Sequence, residues 1–301
     1  MTGFIFLESL VDHNSDENRP ALIICPSSLI ENWTEEYQRF FTNPSYDVVT
    51  LKGNVASYLN DIRKGSIRRR RQLCLTTYET MRINAVGFCS VEWGVIAFDE
   101  AQKVKNPSAL VTHSAKGLKS MFKIAMTGTP VENSLLDLWC LMDLCAPGIL
   151  GSARLFNQKT KSKELDENGI RKVISTKFLR RLKSDVAKDL PDKREYFDES
   201  QECSGKQLSM YMNVLNQLSN LKENDLLKGA SMLTAIHEMK SIADHPELAR
   251  RDEDFDMDAL EKSAKTQITL RLLKKIESKN EKVIVFTEKR KMQFILKQII
   301  K

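Results

Sequence analysis

An α/β fold built on a parallel sheet, followed by a helical region and the start of a second α/β unit, is what this sequence predicts. Three observations carry the prediction. Residues 21–130 alternate short, nearly continuous apolar runs with amphipathic stretches, as strands do when helices cover both faces of their sheet. From about residue 150 the strand pattern gives way to polar sequence with helical periodicity. Near the end, Lys282-Val283-Ile284-Val285-Phe286-Thr287 reads as a new buried strand followed by a helical face.

Five strands are expected in the first region: Ala21–Cys25, Val48–Leu51, Leu73–Thr76, Val95–Phe98 and Ile124–Met126. After the first, Leu29, Trp33, Tyr37 and Phe40 recur at helical spacing, and the serines of Pro26-Ser27-Ser28 are placed to cap that helix. Such a stripe is first of all core. After the fifth strand, Ser134 precedes Leu135, Leu138, Trp139 and Met142 on one helical face, and Pro147-Gly148 ends the helix. Helical periodicity continues in Leu208, Tyr211, Met212, Leu215 and Leu218, and again in Met232, Ile236, Met239 and Ile242. His237 and His245 fall there without a carboxylate or cysteine cluster and read as ordinary helix or cap residues. Met292, Ile295, Leu296 and Ile299 form the last apolar face. One strand and one helix cannot make a parallel sheet, so the second α/β unit is expected to be cut short. The expected divisions are 1–148, 149–262 and 263–301.

Composition narrows the class. With 301 residues, 42% hydrophobic and 29% charged, the chain reads as globular, and no apolar run approaches the roughly 18 residues of a membrane span. No membrane partner is expected. Met1 to Leu10 is apolar but has neither a basic leader nor a small-residue cleavage site, and six scattered cysteines lack zinc spacing. Reduced thiols in an intracellular protein are the expectation, in cytoplasm or nucleoid, with the nucleus as the alternative. A formal net charge of +6 is compatible with a polyanionic partner, though excess lysine also serves solubility. The densest basic runs are Arg68-Arg69-Arg70-Arg71 and the stretch Lys177, Arg180, Arg181, Lys183; the first is either a phosphate contact or a solvated loop.

The chemistry-bearing residues stand at two strand ends. Asp99-Glu100-Ala101-Gln102 follows Val95–Phe98, and Thr127-Gly128-Thr129-Pro130 follows Ile124–Met126. Adjacent carboxylates are costly beside a buried strand unless a divalent cation compensates them. At the tip of a parallel sheet one can hold hydrated Mg²⁺ while the next orients an attacking water, which is what ATP hydrolysis requires. The bland alternative is a solvated acidic turn. The second loop at this interval favours the ATP site.

The series Cys25-Pro26-Ser27-Ser28-Leu29-Ile30-Glu31-Asn32-Trp33, Leu75-Thr76-Thr77-Tyr78-Glu79, Phe98-Asp99-Glu100-Ala101-Gln102-Lys103-Val104-Lys105-Asn106-Pro107 and Met126-Thr127-Gly128-Thr129-Pro130-Val131-Glu132-Asn133 resembles the Swi/Snf-like ATPases, superfamily-two DNA translocases. The likeness continues through Phe178 to Val186, Leu190-Pro191, Ala243-Asp244-His245-Pro246 and Lys282 to Phe286, covering nearly the whole chain. It implies a RecA-like first lobe (1–148), a helical protrusion and linker (149–262) and the truncated start of a second RecA-like lobe (263–301).

Carried over residue by residue, the resemblance implies that Asp99 holds Mg²⁺ through water, that Glu100 is the general base, and that Gln102 lies near the γ-phosphate. Family members more often carry His at that place; Gln keeps the hydrogen-bonding capacity without titrating. Thr127 and Thr129 resemble the loop coupling nucleotide state to lobe movement. Ser27, Ser28, Thr76 and Thr77 resemble positions near the tracked strand's phosphates, with Arg68, Arg69, Arg70 and Arg71 as further candidates. ATP and Mg²⁺ are thus the implied cofactors and double-stranded DNA the implied partner, held through its phosphates, with a protein cargo on the DNA as a further partner. The family's Gly-x-Gly-Lys-Thr phosphate loop should stand just before the helix of Phe4 to Leu10, and no such segment occurs in the 301 residues; the second lobe's arginine finger is also missing. The expectation is a fragment that does not hydrolyse ATP at a useful rate alone. Two other readings are a non-enzymatic ATPase-like module binding DNA or protein, and the motor segment of a restriction or phage-defence system.

Overall fold

A computed structural model of the chain describes residues 19–41, 46–66, 71–131, 134–181, 194–195, 201–203, 205–219, 228–249 and 263–300. The expected helix at Phe4 to Leu10, the basic residues Arg68, Arg69 and Arg70, and the segments Leu182 to Val186 and Leu190-Pro191 lie outside the described residues.

All five expected strands form, the first with the expected bounds and the others somewhat longer than their apolar runs: β1 (Ala21–Cys25), β2 (Tyr46–Leu51), β3 (Arg71–Thr77), β4 (Glu92–Asp99) and β5 (Lys119–Met126). They make one all-parallel sheet in the order β2-β3-β1-β4-β5. Helices α1 (Ile30–Phe40), α2 (Ala56–Arg63), α3 (Tyr78–Ile83), α4 (Ala85–Ser90), α5 (Leu110–Gly117) and α6 (Leu135–Cys145) supply the crossovers and covers. Strand alternation sorts the core into two layers. Leu22, Ile24, Cys74, Ile96 and Phe98 face one side, with Leu59, Met81, Phe88 and Leu141 of the helices. Ala21, Ile23, Cys25, Leu73, Leu75, Val95 and Ala97 face the other, with Ile30 and Tyr37 of α1. Both sides of β1 are therefore dry, which is why its run is continuous rather than alternating.

Two local expectations about α1 are corrected. Neither serine caps the helix: Ser27–Leu29 forms a single 3-10 turn without a side-chain cap hydrogen bond, and α1 starts from Leu29, so the serine side chains stay in solvent. Phe40 is not core but 44% exposed, because the helix ends there and only Ile30 and Tyr37 reach the sheet fully. Tyr37 anchors the turn to β2, its hydroxyl accepting the Tyr46 N–H at 3.2 Å.

Helix α6 is apolar on nearly every side, with Leu138, Trp139, Cys140, Leu141, Met142 and Leu144 all buried. One side meets the sheet core; the other needs its own cover, and α7 (Ala153–Lys161) and α8 (Glu167–Ile174) supply it through Phe156, Ile170 and Ile174. The first compact unit consequently runs from Met1 to Val186, past the division expected at 148, and the second from Ala187 to Lys301.

The second unit contains α9 (Gly205–Ser219), α10 (Lys228–Asp244), α11 (Ala264–Glu277) and α12 (Arg290–Ile299). Gln207, fully buried, ties three of these segments together: its Nε2 donates to the Ile242 carbonyl at 2.7 Å and its Oε1 accepts the Ala264 N–H at 3.2 Å. The helical face of Met292, Ile295 and Leu296 is buried as expected. The expected strand Lys282–Thr287 is not one. It has no sheet partner among the described residues, and Ile284 and Phe286 are 77% and 90% exposed. A strand is defined by hydrogen bonds to neighbours, and an apolar run alone does not supply them.

Candidate ATPase site at the sheet edge

Parallel register brings the predicted site residues to one edge. Asp99 pairs with Met126, Ile24 with Phe98, and Cys25 with Thr77, so Ser27, Thr77, Asp99, Glu100 and Thr127 all leave the sheet at its carboxyl end. In an open parallel sheet this is the edge where ligands bind.

Asp99 ends β4 half-buried and held from three directions. Its Oδ2 accepts the Trp33 indole Nε1–H at 2.9 Å, its Oδ1 accepts the Glu100 backbone N–H at 2.9 Å, and its carbonyl accepts the Tyr78 hydroxyl at 2.7 Å. The next residue turns sharply: Glu100 has φ 50 and ψ 51, a left-handed conformation costing a non-glycine residue about 1–2 kcal/mol. The turn swings the Glu100 side chain away from the strand direction toward β5. Gln102 Nε2 donates to Glu100 Oε2 at 2.6 Å, Thr127 Oγ1 donates to Gln102 Oε1 at 2.8 Å, and the Thr129 N–H donates to Thr127 Oγ1 at 3.1 Å. Both ends of the Gln102 amide are therefore committed, and one continuous chain joins the two loops singled out by the sequence. The segment after the acidic pair is pinned to α6: Cys140 Sγ donates to the Val104 carbonyl at 3.3 Å, and Lys105 Nζ lies 4.0 Å from Asp137.

Burial and carboxylate charge act on the groups around Asp99. The Cys25 thiol is pushed up to about 12, by burial first and then by Asp99. The Tyr78 phenol is raised by burial, then by Asp99, Cys25 and Glu100. Tyr78 thus stays a donor across the physiological range.

The donor set suits Mg²⁺. It consists of carboxylate and hydroxyl oxygens, the hard ligands this ion prefers, and each Asp99 oxygen spends only one lone pair on the contacts above. Among the described residues no group of three or more His, Cys, Asp or Glu could hold an ion.

The candidate DNA-facing residues divide. Ser27 and Ser28 are exposed at the head of α1, and Thr77 is half-buried, its Oγ1 accepting the Thr80 N–H as the N-cap of α3. Arg71 opens β3, half-buried. Thr76 is corrected: its side chain is fully buried and its hydroxyl donates to the Leu51 carbonyl at 3.1 Å, because both faces of β3 are covered and only its end residues come out of the core. It offers nothing to a phosphate. Trp33 and Tyr78, by contrast, are site residues that the sequence reading took for core and for flanking context. The available signal was their chemistry: each carries an apolar body and a polar tip, and such tips find partners when buried.

These observations have counterparts in known proteins. The SNF2-related domain family matches residues 3–248. Zorya protein ZorD of Escherichia coli is 33% identical over 93% of this chain, and an ATP-dependent helicase of Mycoplasma genitalium, MG018, is 31% identical over 89%. The chain spans 28% and 25% of their lengths. The Sulfolobus solfataricus SWI2/SNF2 ATPase core in complex with dsDNA superposes with a TM-score of 0.51 at 31% identity, over 97% of this chain and 61% of that one. The chain belongs to the SNF2-related family of ATP-dependent helicases and translocases.

Proposed function

We propose that this chain is the first-lobe part of an ATP-driven motor that moves along double-stranded DNA. The observation that carries the proposal is the hydrogen-bonded chain from Glu100 through Gln102 to Thr127 and Thr129. It makes the position of a candidate base depend on the conformation of the loop after β5, as coupling of hydrolysis to movement requires.

Glu100 takes the proton of the attacking water; its carboxylate is aimed by Gln102 and by the left-handed turn that Asp99 Oδ1 stabilises. Asp99 would hold hydrated Mg²⁺, which would supply neutralisation of charge on the phosphates. Gln102 keeps its amide fixed between Glu100 and Thr127 and so moves only when the loop moves. Ser27, Ser28 and Thr77, at the same edge, meet duplex phosphates without reading sequence. A likeness to a core solved on dsDNA supports the duplex as the track. The expected compartment is intracellular, where DNA is, and no helix among the described residues is long and apolar enough to cross a membrane.

Glu100→Gln tests the assignment. In the full natural protein it should leave ATP and DNA binding intact while cutting turnover by about 10²–10⁴-fold; turnover at the parent rate would show that Glu100 is not the base. The 301 residues alone, with no Gly-x-Gly-Lys-Thr segment to cradle phosphates, should turn over ATP poorly with or without duplex DNA. Duplex-stimulated hydrolysis by those residues, abolished by Glu100→Gln, would overturn that part of the proposal.

A further inference from the structure

We propose that Trp33 and Tyr78 are positioning residues for Asp99, and that duplex phosphates at Ser27, Ser28 and Thr77 set the orientation of the metal-facing carboxylate through them. The inference rests on the reading above and adds its regulation: how the track would reach the hydrolytic site.

The geometry supplies two short routes. Ser27 and Ser28 belong to a 3-10 turn that runs without a break into α1, and Trp33 lies on the second turn of that continuous segment. A displacement at the serines is carried along a helix, which is stiff on this scale, to an indole whose N–H ends on Asp99 Oδ2. On the other side Thr77 caps α3 and Tyr78 is the first residue of that helix. The Thr77 hydroxyl accepts the Thr80 N–H and donates to Thr80 Oγ1 at 3.0 Å, so a phosphate that took over that proton would loosen the start of α3 and with it the Tyr78 hydroxyl that donates to the Asp99 carbonyl.

The Asp99 carboxylate makes the coupling tight. Its two oxygens are engaged by different partners, Trp33 on Oδ2 and the Glu100 N–H on Oδ1. Rotation of the group that breaks one bond breaks the other, and the second bond stabilises the left-handed turn that aims Glu100. One indole therefore bears on the metal carboxylate and, through the backbone, on the base. An unmade indole hydrogen bond in a half-buried site is costly, so the contact persists unless the helix itself moves. A neutral packing role for Trp33 would have been served by any aromatic ring; the short bond to a carboxylate is what distinguishes it.

The test uses the full natural protein with Trp33→Phe, which keeps an aromatic side chain of smaller size, and Tyr78→Phe, which keeps the ring; each removes the donor. ATP turnover is measured against Mg²⁺ concentration with and without saturating duplex DNA, beside duplex affinity and thermal unfolding. A second readout needs no turnover: the fluorine spectrum of fluorotryptophan-labelled protein, with the Trp33 signal assigned by its loss in Trp33→Phe. Trp33→Phe should raise the Mg²⁺ needed for half-maximal turnover and lower duplex-stimulated kcat, each about tenfold, as the loss of one charge-assisted hydrogen bond implies. Tyr78→Phe, which touches only the backbone carbonyl, should do less, about threefold. Duplex affinity and the unfolding midpoint should stay near the parent's. The Trp33 fluorine signal should shift on adding duplex, and the shift should vanish in Asp99→Asn. Variants that keep the parent's Mg²⁺ dependence and stimulation, or a Trp33 signal unmoved by duplex that binds, would overturn the positioning role while leaving the proposed function standing. A loss of turnover matched by a loss of folding in both variants would overturn it in favour of a structural latch. A parent that duplex DNA neither binds nor stimulates would overturn the proposed function and this inference together.

Discussion

Ala21–Cys25 and Lys282–Thr287 carry the same kind of apolar run, and only one of them is a strand. In the first compact unit, Ala21–Cys25 lies between β3 and β4 with every residue buried. In the second unit, Lys282–Thr287 runs between α11 and α12 with Ile284 and Phe286 in solvent. The difference is not in the side chains. Val, Ile and Phe favour a pleated, half-buried surface, but a strand also needs at least one hydrogen-bonded neighbour, and that comes from elsewhere in the chain. An apolar run is thus a demand for partners, and its outcome depends on whether the partners are at hand.

The largest expected effect follows directly. Ile24→Ala removes a fully buried side chain from the interior of the sheet and should cost about 2–5 kcal/mol in chemical denaturation of the 301-residue chain, whereas Ile284→Ala should fall within about 0.5 kcal/mol. Equal costs would erase the contrast. The contrast is sharpened in the full natural protein: if Lys282–Thr287 pairs as the first strand of a second lobe, as the family resemblance implies, Ile284→Ala becomes costly there, by about 2 kcal/mol or more.

The same contrast explains what was legible in the sequence. All five strands of the sheet were readable, because each carries a short apolar run and the partners lie within about a hundred residues, although the edge strand β5 has no fully buried residue. Asp99, Glu100, Gln102 and Thr127 were readable as a group because strand ends in one parallel sheet must share an edge, whatever the loops do. Thr76 was misjudged because hydroxyl chemistry alone does not say how deep in the sheet a strand residue lies: both faces of β3 are covered, and the strand leaves the core only at its ends, Thr77 among them. Trp33 was hidden for a complementary reason: helical spacing assigns it to the core, and only the fold reveals that its indole tip reaches a carboxylate 66 residues away. The role of α7 and α8 as cover for α6 was equally out of reach, because it depends on both faces of α6 being buried.

Titration separates the two units by a smaller margin. Cys74, in the interior of β3, is buried and its thiol is pushed up to about 12 by that burial, while Cys203 in the second unit is exposed. Raising the native pKa above that of the unfolded chain means that the native thiol keeps a proton the unfolded one loses. The associated stability is complete below the ordinary value of 9.0 and is lost as pH rises toward 12. Stability should therefore fall by about 1.4 kcal/mol per pH unit across that window on account of Cys74, a slope that Cys74→Ala reduces. At neutral pH a thiol reagent should modify Cys203 while Cys74 stays protected until the first unit unfolds. A pH profile unchanged by Cys74→Ala would mean that another group sets the alkaline limit.

The smallest expected effect concerns backbone strain, and it too divides by region. Glu100 and Asn280 are both left-handed, with φ 50 and φ 55. Asn tolerates this conformation through local hydrogen bonding, and at Asn280 it closes the turn after α11, where its N–H donates to the Glu277 carbonyl at 2.8 Å. Glu gains no such local hydrogen bonding at position 100, and the strain is held by the Asp99 contact and by Gln102. Glu100→Gly should relieve the strain, giving back about 1–2 kcal/mol against a cost of about 0.5–1 kcal/mol for the added freedom of the unfolded chain. The expected net gain is about 0.5 kcal/mol in denaturation, with hydrolysis lost in the full natural protein. Asn280→Gly, starting from a residue already suited to the turn, should gain nothing. A clear loss of stability in Glu100→Gly, by 1 kcal/mol or more, would mean that the hydrogen bond from Gln102 outweighs the strain and that Glu100 holds the edge together rather than being held by it.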